Sequence, residues 1–93
     1  MRTKTIYFLD KIRLKGRDIY IFLNENKIEK MISERNAESI YFLFENGVSN
    51  GANKVSGERV TLYFEEGVIK KVLVDGQSEG IFYPPDMVKE LQK

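Results

Sequence analysis

The side chains that could do chemistry in this chain are few. It has no Cys, no His and no Trp, which excludes a disulfide framework, a Cys/His zinc site and the Cys-His or Ser-His-Asp nucleophilic arrangements. What remains is carboxylates, lysines and aromatic rings. Glu38 and Glu79 sit in the same local pattern, each inside a small-Glu-small step (Ala37-Glu38-Ser39 and Ser78-Glu79-Gly80). Two carboxylates held close can act as acid and base, but recurrence in stacked units would equally place them in one surface column beside Lys or Arg. Glu65-Glu66, Asp10, Asp18 and Asp75 lack calcium-loop spacing, and Asn46-Gly47 and Asn50-Gly51 are turn signals rather than a phosphate loop. No catalytic residue, metal site or cofactor is expected. Fifteen basic against fourteen acidic residues leave a net charge of +1, without the basic excess of a nucleic-acid-binding module.

The aromatic residues Tyr7, Phe8, Tyr20, Phe22, Tyr41, Phe42, Phe44, Tyr63, Phe64, Phe82 and Tyr83 are the other chemically informative set. In a small β-domain such rings usually form cross-strand packing pairs; at an open mouth some could touch an acyl chain. Lys70-Lys71, with Lys27 and Lys30, flank apolar runs and read as edge-guarding charges or as contacts to lipid phosphate.

The elements that position these residues are strands. The apolar share is 42%, rich in Ile, Val, Phe and Tyr, with Ala only at Ala37 and Ala52, and that mixture favours sheet over helix. Turn signals at Asn24-Glu25-Asn26, Glu34-Arg35-Asn36, Glu45-Asn46-Gly47, Glu65-Glu66-Gly67 and Asp75-Gly76 cut the chain into short runs. Strands are predicted near 5–9, 12–15, 18–24, 27–33, 37–44, 53–56, 58–65, 68–74 and 78–83. The tail from Pro84-Pro85-Asp86 to Leu91 is predicted to form one or two helical turns or to stay disordered. Alternation predicts an inward series of Ile19, Ile21, Leu23, Ile40, Phe42, Val60, Leu62, Phe64, Val72, Val74, Ile81 and Tyr83. No run reaches the roughly 20 apolar residues of a membrane-spanning helix, and Met1 to Lys11 does not read as a secretory signal.

An offset of 41 residues aligns 14–42 on 55–83 without a gap, placing Gly16 on Gly57, Glu25 on Glu66, Ile28 on Ile69, Lys30 on Lys71, Glu38 on Glu79 and Ile40 on Ile81. Residues 1–84 are therefore expected to form a single β-domain of two repeats, with 85–93 as its tail. One unit cannot bury its own apolar face, so the units must stack. The fold class is all-β: short antiparallel strands stacked into an open jelly roll or solenoid-like sandwich.

The second unit, from Asn53-Lys54-Val55-Ser56-Gly57-Glu58-Arg59-Val60-Thr61-Leu62-Tyr63-Phe64 through Gly67-Val68-Ile69-Lys70-Lys71-Val72 to Glu79-Gly80-Ile81-Phe82-Tyr83-Pro84, resembles the OstA-like family, the lipopolysaccharide-transport β-jelly-rolls of LptA and LptD N-terminal type. In the first unit Ala37-Glu38-Ser39-Ile40-Tyr41-Phe42 follows the pattern, while Asn26 stands for the turn Gly and Ser33-Glu34-Arg35-Asn36 for the usual step after the strand. The resemblance spans roughly residues 12 to 84. It implies an open jelly roll in the periplasm or cell envelope whose apolar interior holds acyl chains of lipopolysaccharide, with Ile21, Leu23, Phe42, Leu62, Phe64, Val72, Val74, Ile81 and Tyr83 as lipid-lining residues. It also implies other envelope-assembly proteins as partners and self-association through strand edges. The N-terminal strand is the expected pairing edge, Pro84 and Pro85 blunting the other. The alternative is a packed β-scaffold or protein-interaction domain without lipid.

Overall fold

A computed structural model describes residues 3–8 and 11–92. Leu9, the expected end of the first strand, lies outside the described residues, as do Met1, Arg2, Asp10 and Lys93. Among the described residues seven antiparallel strands, β1 (Lys4–Phe8), β2 (Ile12–Gly16), β3 (Asp18–Asn24), β4 (Lys27–Glu45), β5 (Val48–Glu65), β6 (Val68–Asp75) and β7 (Glu79–Tyr83), precede a 3₁₀ helix, Pro85–Gln92. They form one open sheet in the order β1-β2-β4-β5-β6, with β3 also paired to β4 and β7 also paired to β5.

The expected all-β class is observed. Four of the predicted strands merge pairwise into two long ones, because a bend within a strand carries the same local signal as a turn between strands. A straight 19-residue strand would span about 63 Å at about 3.3 Å per residue, yet the molecule is at most 34 Å long, so β4 must bend. It bends at Arg35 and Asn36, whose φ angles are +64° and +58°, between its pairings at Glu34 and Ala37. The first half of β4 pairs with β3 and the second half of β5; β6 completes this upper layer. The second half of β4 pairs with β2 and the first half of β5; β1 and β7 complete the lower layer.

Segments 41 residues apart take the same conformation. Glu25 and Asn26 (φ +52° and +65°) answer to Glu66 and Gly67 (+54° and +77°), and Arg35 and Asn36 answer to Gly76 and Gln77 (+74° and +43°). The register shift between Phe22 and Leu23 is matched by one between Tyr63 and Phe64. Gly16 and Gly57 both pass under the end of the neighbouring segment: a Cβ on Gly16 would collide with the Ser33 Oγ, and one on Gly57 would fall 2.8 Å from the Val74 Cγ1. At Gly57 the Asp75 and Gly76 carbonyl oxygens would also lie 2.9 Å from that Cβ, so a side chain there displaces backbone, whereas at Gly16 the Ser33 side chain would have to turn away.

The layers face each other across one core. Ile12 and Leu14 of the lower layer pack against Met31, Val60, Leu62 and Phe64 of the upper. A second cluster lies on the outer side of the lower layer, where Val88 and Leu91 of the 3₁₀ helix cover Ile40, Phe42 and Ala52 with Tyr83 beside them. The Arg13 Nη1 donates to the Leu91 carbonyl at 2.6 Å and anchors the helix end. The tail therefore covers a sheet face, not the C-terminal strand edge, and its eight residues exceed the two turns expected. No helix among the described residues is long and apolar enough to cross a membrane.

Candidate functional site

The inner face of the upper layer carries two rows running across the strands, one wholly apolar and one apolar but for Ser33. Direct register aligns Ile21, Met31, Leu62 and Val72 in one, and Ile19, Ser33, Val60 and Val74 in the next. Directly opposed residues share a face, so each row is continuous through both units. Met31, Val60 and Leu62 at its middle are buried, whereas Ile21 (45%) and Val72 (43%) at its ends are exposed. Their side is the predicted one; they are open because β3 and β6 are edge strands. Leu23, at the far end of β3, is 63% exposed.

Opposite this face the lower layer presents Ile12 and Leu14 with Ala37, Ser39, Tyr41 and Val55. Here the predicted parity is one residue out. Ile40, Phe42, Ile81 and Tyr83 point away from the interior: Phe42 aligns with Ala52 and Tyr83, and Ile40 with Lys54 and Ile81, on the side the 3₁₀ helix covers. Phe42 and Tyr83 pack against that helix, and Ile81 is 41% exposed beyond its reach. The physical reason is space. The layers converge where β4 and β5 bend, so the inward positions next to the bend take Ala37 and Ser39, and the large side chains go to the outer face.

Away from the bend the layers diverge into a mouth. A groove of about 430 Å³ there is lined by Phe8, Asn26, Lys27, Ile28, Glu66 and Gly67. Its floor is Phe8 set edge-on to Phe64, ring centroids 5.3 Å apart, and its rim carries the Lys27–Glu66 ion pair at 3.9 Å. Of the expected lining residues, Leu62, Phe64 and Val74 belong to or pack on the inner core, and Ile21, Leu23 and Val72 to its exposed flanks. Phe8 and Ile28 were missed. The signal was present, since Ile28 and Met31, like Ile69 and Val72, are three residues apart, and only a bulge puts both members of such a pair on one face.

At the opposite, closed seam lies a polar groove of about 710 Å³ that includes Arg17, Glu34, Arg35, Glu58, Arg59 and Asp75. Two of its arginines are paired: Arg59 reaches Glu34 at 2.7 Å and Arg35 reaches Asp18 at 3.3 Å. Glu38 and Glu79 share one row with Ser56 between them, which separates their strands by about 9.6 Å, too far for a shared proton. Glu38 is engaged instead by Lys54 at 3.5 Å and Arg13 at 4.0 Å. Among the described residues no group of three or more His, Cys, Asp or Glu side chains could hold a metal ion.

Compared with known proteins, the chain matches no family model, no curated protein and no solved structure.

Proposed function

We propose that the chain is a non-enzymatic OstA-like module of lipopolysaccharide transport or outer-membrane assembly, acting in the periplasm or cell envelope. It seats acyl chains against the apolar lane between its layers and continues that lane into neighbouring modules through free strand edges. The observation that carries this reading is the row Ile21–Met31–Leu62–Val72, which stays apolar out to half-exposed ends. A module that meets lipid or another copy at its two open edges buries the isoleucine and the valine exposed there. Each methylene of a seated chain contributes about 0.8 kcal/mol.

The packing favours one seat over another. Leu14 and Leu62 are fully buried, so the centre is filled by side chains, and the acyl chain lies along the mouth over Phe8, Ile28 and Phe64. That same filled centre favours the second reading, a packed β-scaffold that recognises protein alone. A fluorescent fatty acid with lipopolysaccharide as competitor separates the two. The lipid reading requires probe uptake that competitor displaces and that Ile28→Glu abolishes while the strand-rich circular dichroism is retained. A folded chain that takes up no probe leaves the scaffold reading.

A further inference from the structure

The outer face of the upper layer is covered by nothing among the described residues, although the equivalent face of the lower layer is covered by the 3₁₀ helix. Three straight rows cross it. The middle row is Tyr20, Ile32, Thr61 and Leu73; on one side lies Asp18, Glu34, Arg59 and Asp75; on the other, Phe22, Lys30, Tyr63 and Lys71. Tyr20 (46%), Phe22 (41%) and Leu73 (39%) are exposed, with Lys30 lying 4.6 Å over the Phe22 ring and Lys71 lying 5.6 Å over the Tyr63 ring. The apolar centre is thus flanked by a mainly acidic row and a lysine-aromatic row.

We infer that this face pairs with the same face of a second copy about a two-fold axis running along the middle row, across the strands. Rotation about that axis leaves the order of strands unchanged and exchanges the two flanking rows. Glu34 then meets the other copy's Lys30, Asp75 meets its Lys71, Arg59 meets the Tyr63 ring, and Ile32 and Leu73 meet their own counterparts. A two-fold axis along the strands would instead set β3 on β6 and β4 on β5, bringing Asp18 against Asp75 and both lysines against aromatic rings with Glu34–Arg59 as the one opposite-charge contact, so the charge pattern favours the first arrangement. Sheets packed face to face rotate by about 30°, a displacement of a few ångströms at β6 that the flexible Lys71 stem follows. The face is about four strands wide and seven residues long, roughly 400 Å² per copy, which places the pair among small, weakly held interfaces. The dimer therefore forms reversibly with concentration and weakens with salt. It is independent of end-to-end joining through strand edges, and it stops at two.

Sedimentation velocity on the full chain over a concentration series tests it. Lys71 and Asp75 are both exposed, so their substitution leaves the core untouched. Lys71→Glu alone sets a second carboxylate against Asp75, and Asp75→Lys alone sets lysine against lysine; each is expected to weaken dimerisation about tenfold. An equimolar mixture of the two variants forms a mixed dimer in which both contacts across the two-fold axis again join opposite charges, and the double variant in one chain restores both with the signs exchanged. A wild-type chain that stays monomeric at millimolar concentration, or a dimer indifferent to both single variants, overturns the proposal. So does binding to phosphatidylglycerol vesicles that Lys71→Glu weakens and Asp75→Lys strengthens without any dimer, which would assign the face to an anionic membrane.

Discussion

At the scale of single residues, burial and side-chain direction separate positions that look alike in composition. Leu62 is fully buried at the centre of the inner row and Val72, on the same row, is 43% exposed. Leu62→Ala is expected to cost about 2–5 kcal/mol in denaturant melts, through lost transfer energy and a residual cavity, while Val72→Ala stays below about 1 kcal/mol. Thr61, on the outer face, is only 4% exposed, so Thr61→Ala is not silent as alternation alone would suggest; Ile32 and Leu73 flank it in register. The glycines give a second contrast. Gly57→Ala drives a methyl to 2.9 Å from the Asp75 carbonyl oxygen and is expected to lose about 1–3 kcal/mol, whereas at Gly80 the nearest atom is 3.9 Å away and Ala is tolerated. Equality of the two losses would mean that the seam does not close on Gly57.

At the scale of elements, the 3₁₀ helix determines whether the lower layer has one apolar face or two. Val88 and Leu91 are 6% and 7% exposed, and the side chains beneath them include a fully buried Ile40. Leu91→Asp is expected to lift the helix, lower the melting temperature and raise binding of an apolar dye such as ANS, because Ile40, Phe42 and Ala52 become open to water. Arg13→Ala removes the 2.6 Å contact to the Leu91 carbonyl and is expected to produce the same change at smaller amplitude. Dye binding unchanged in Leu91→Asp would show that the helix is not the cover. The tail was legible as helical from Pro84-Pro85-Asp86, but the face it covers was not, because that depends on where β4 and β5 bend.

At the scale of the whole molecule, two stacked units leave β1 and β3 free at one end and β6 and β7 free at the other. The lane between the layers ends at both. Val72→Lys puts a charge into one of these openings, and light scattering is expected to show loss of end-to-end assembly, while face pairing through Lys71 and Asp75 persists. If assembly continues unchanged in that variant, the edges of β3 and β6 are not where modules join. Strand class, the turns at 25–26, 46–47 and 66–67 and the 41-residue correspondence were determined by the sequence itself, because they rest on local chemistry: alternation, glycine at a crowded crossing, and turn residues able to take a positive φ; the turn signals at 34–36 and 50–51 fall inside β4 and β5. The side on which Ile40, Phe42, Ile81 and Tyr83 lie was decided only by tertiary structure. A bend or bulge shifts parity without leaving a turn between strands, and two converging layers accept only Ala37 and Ser39 beside the seam, so the large residues had to turn outward.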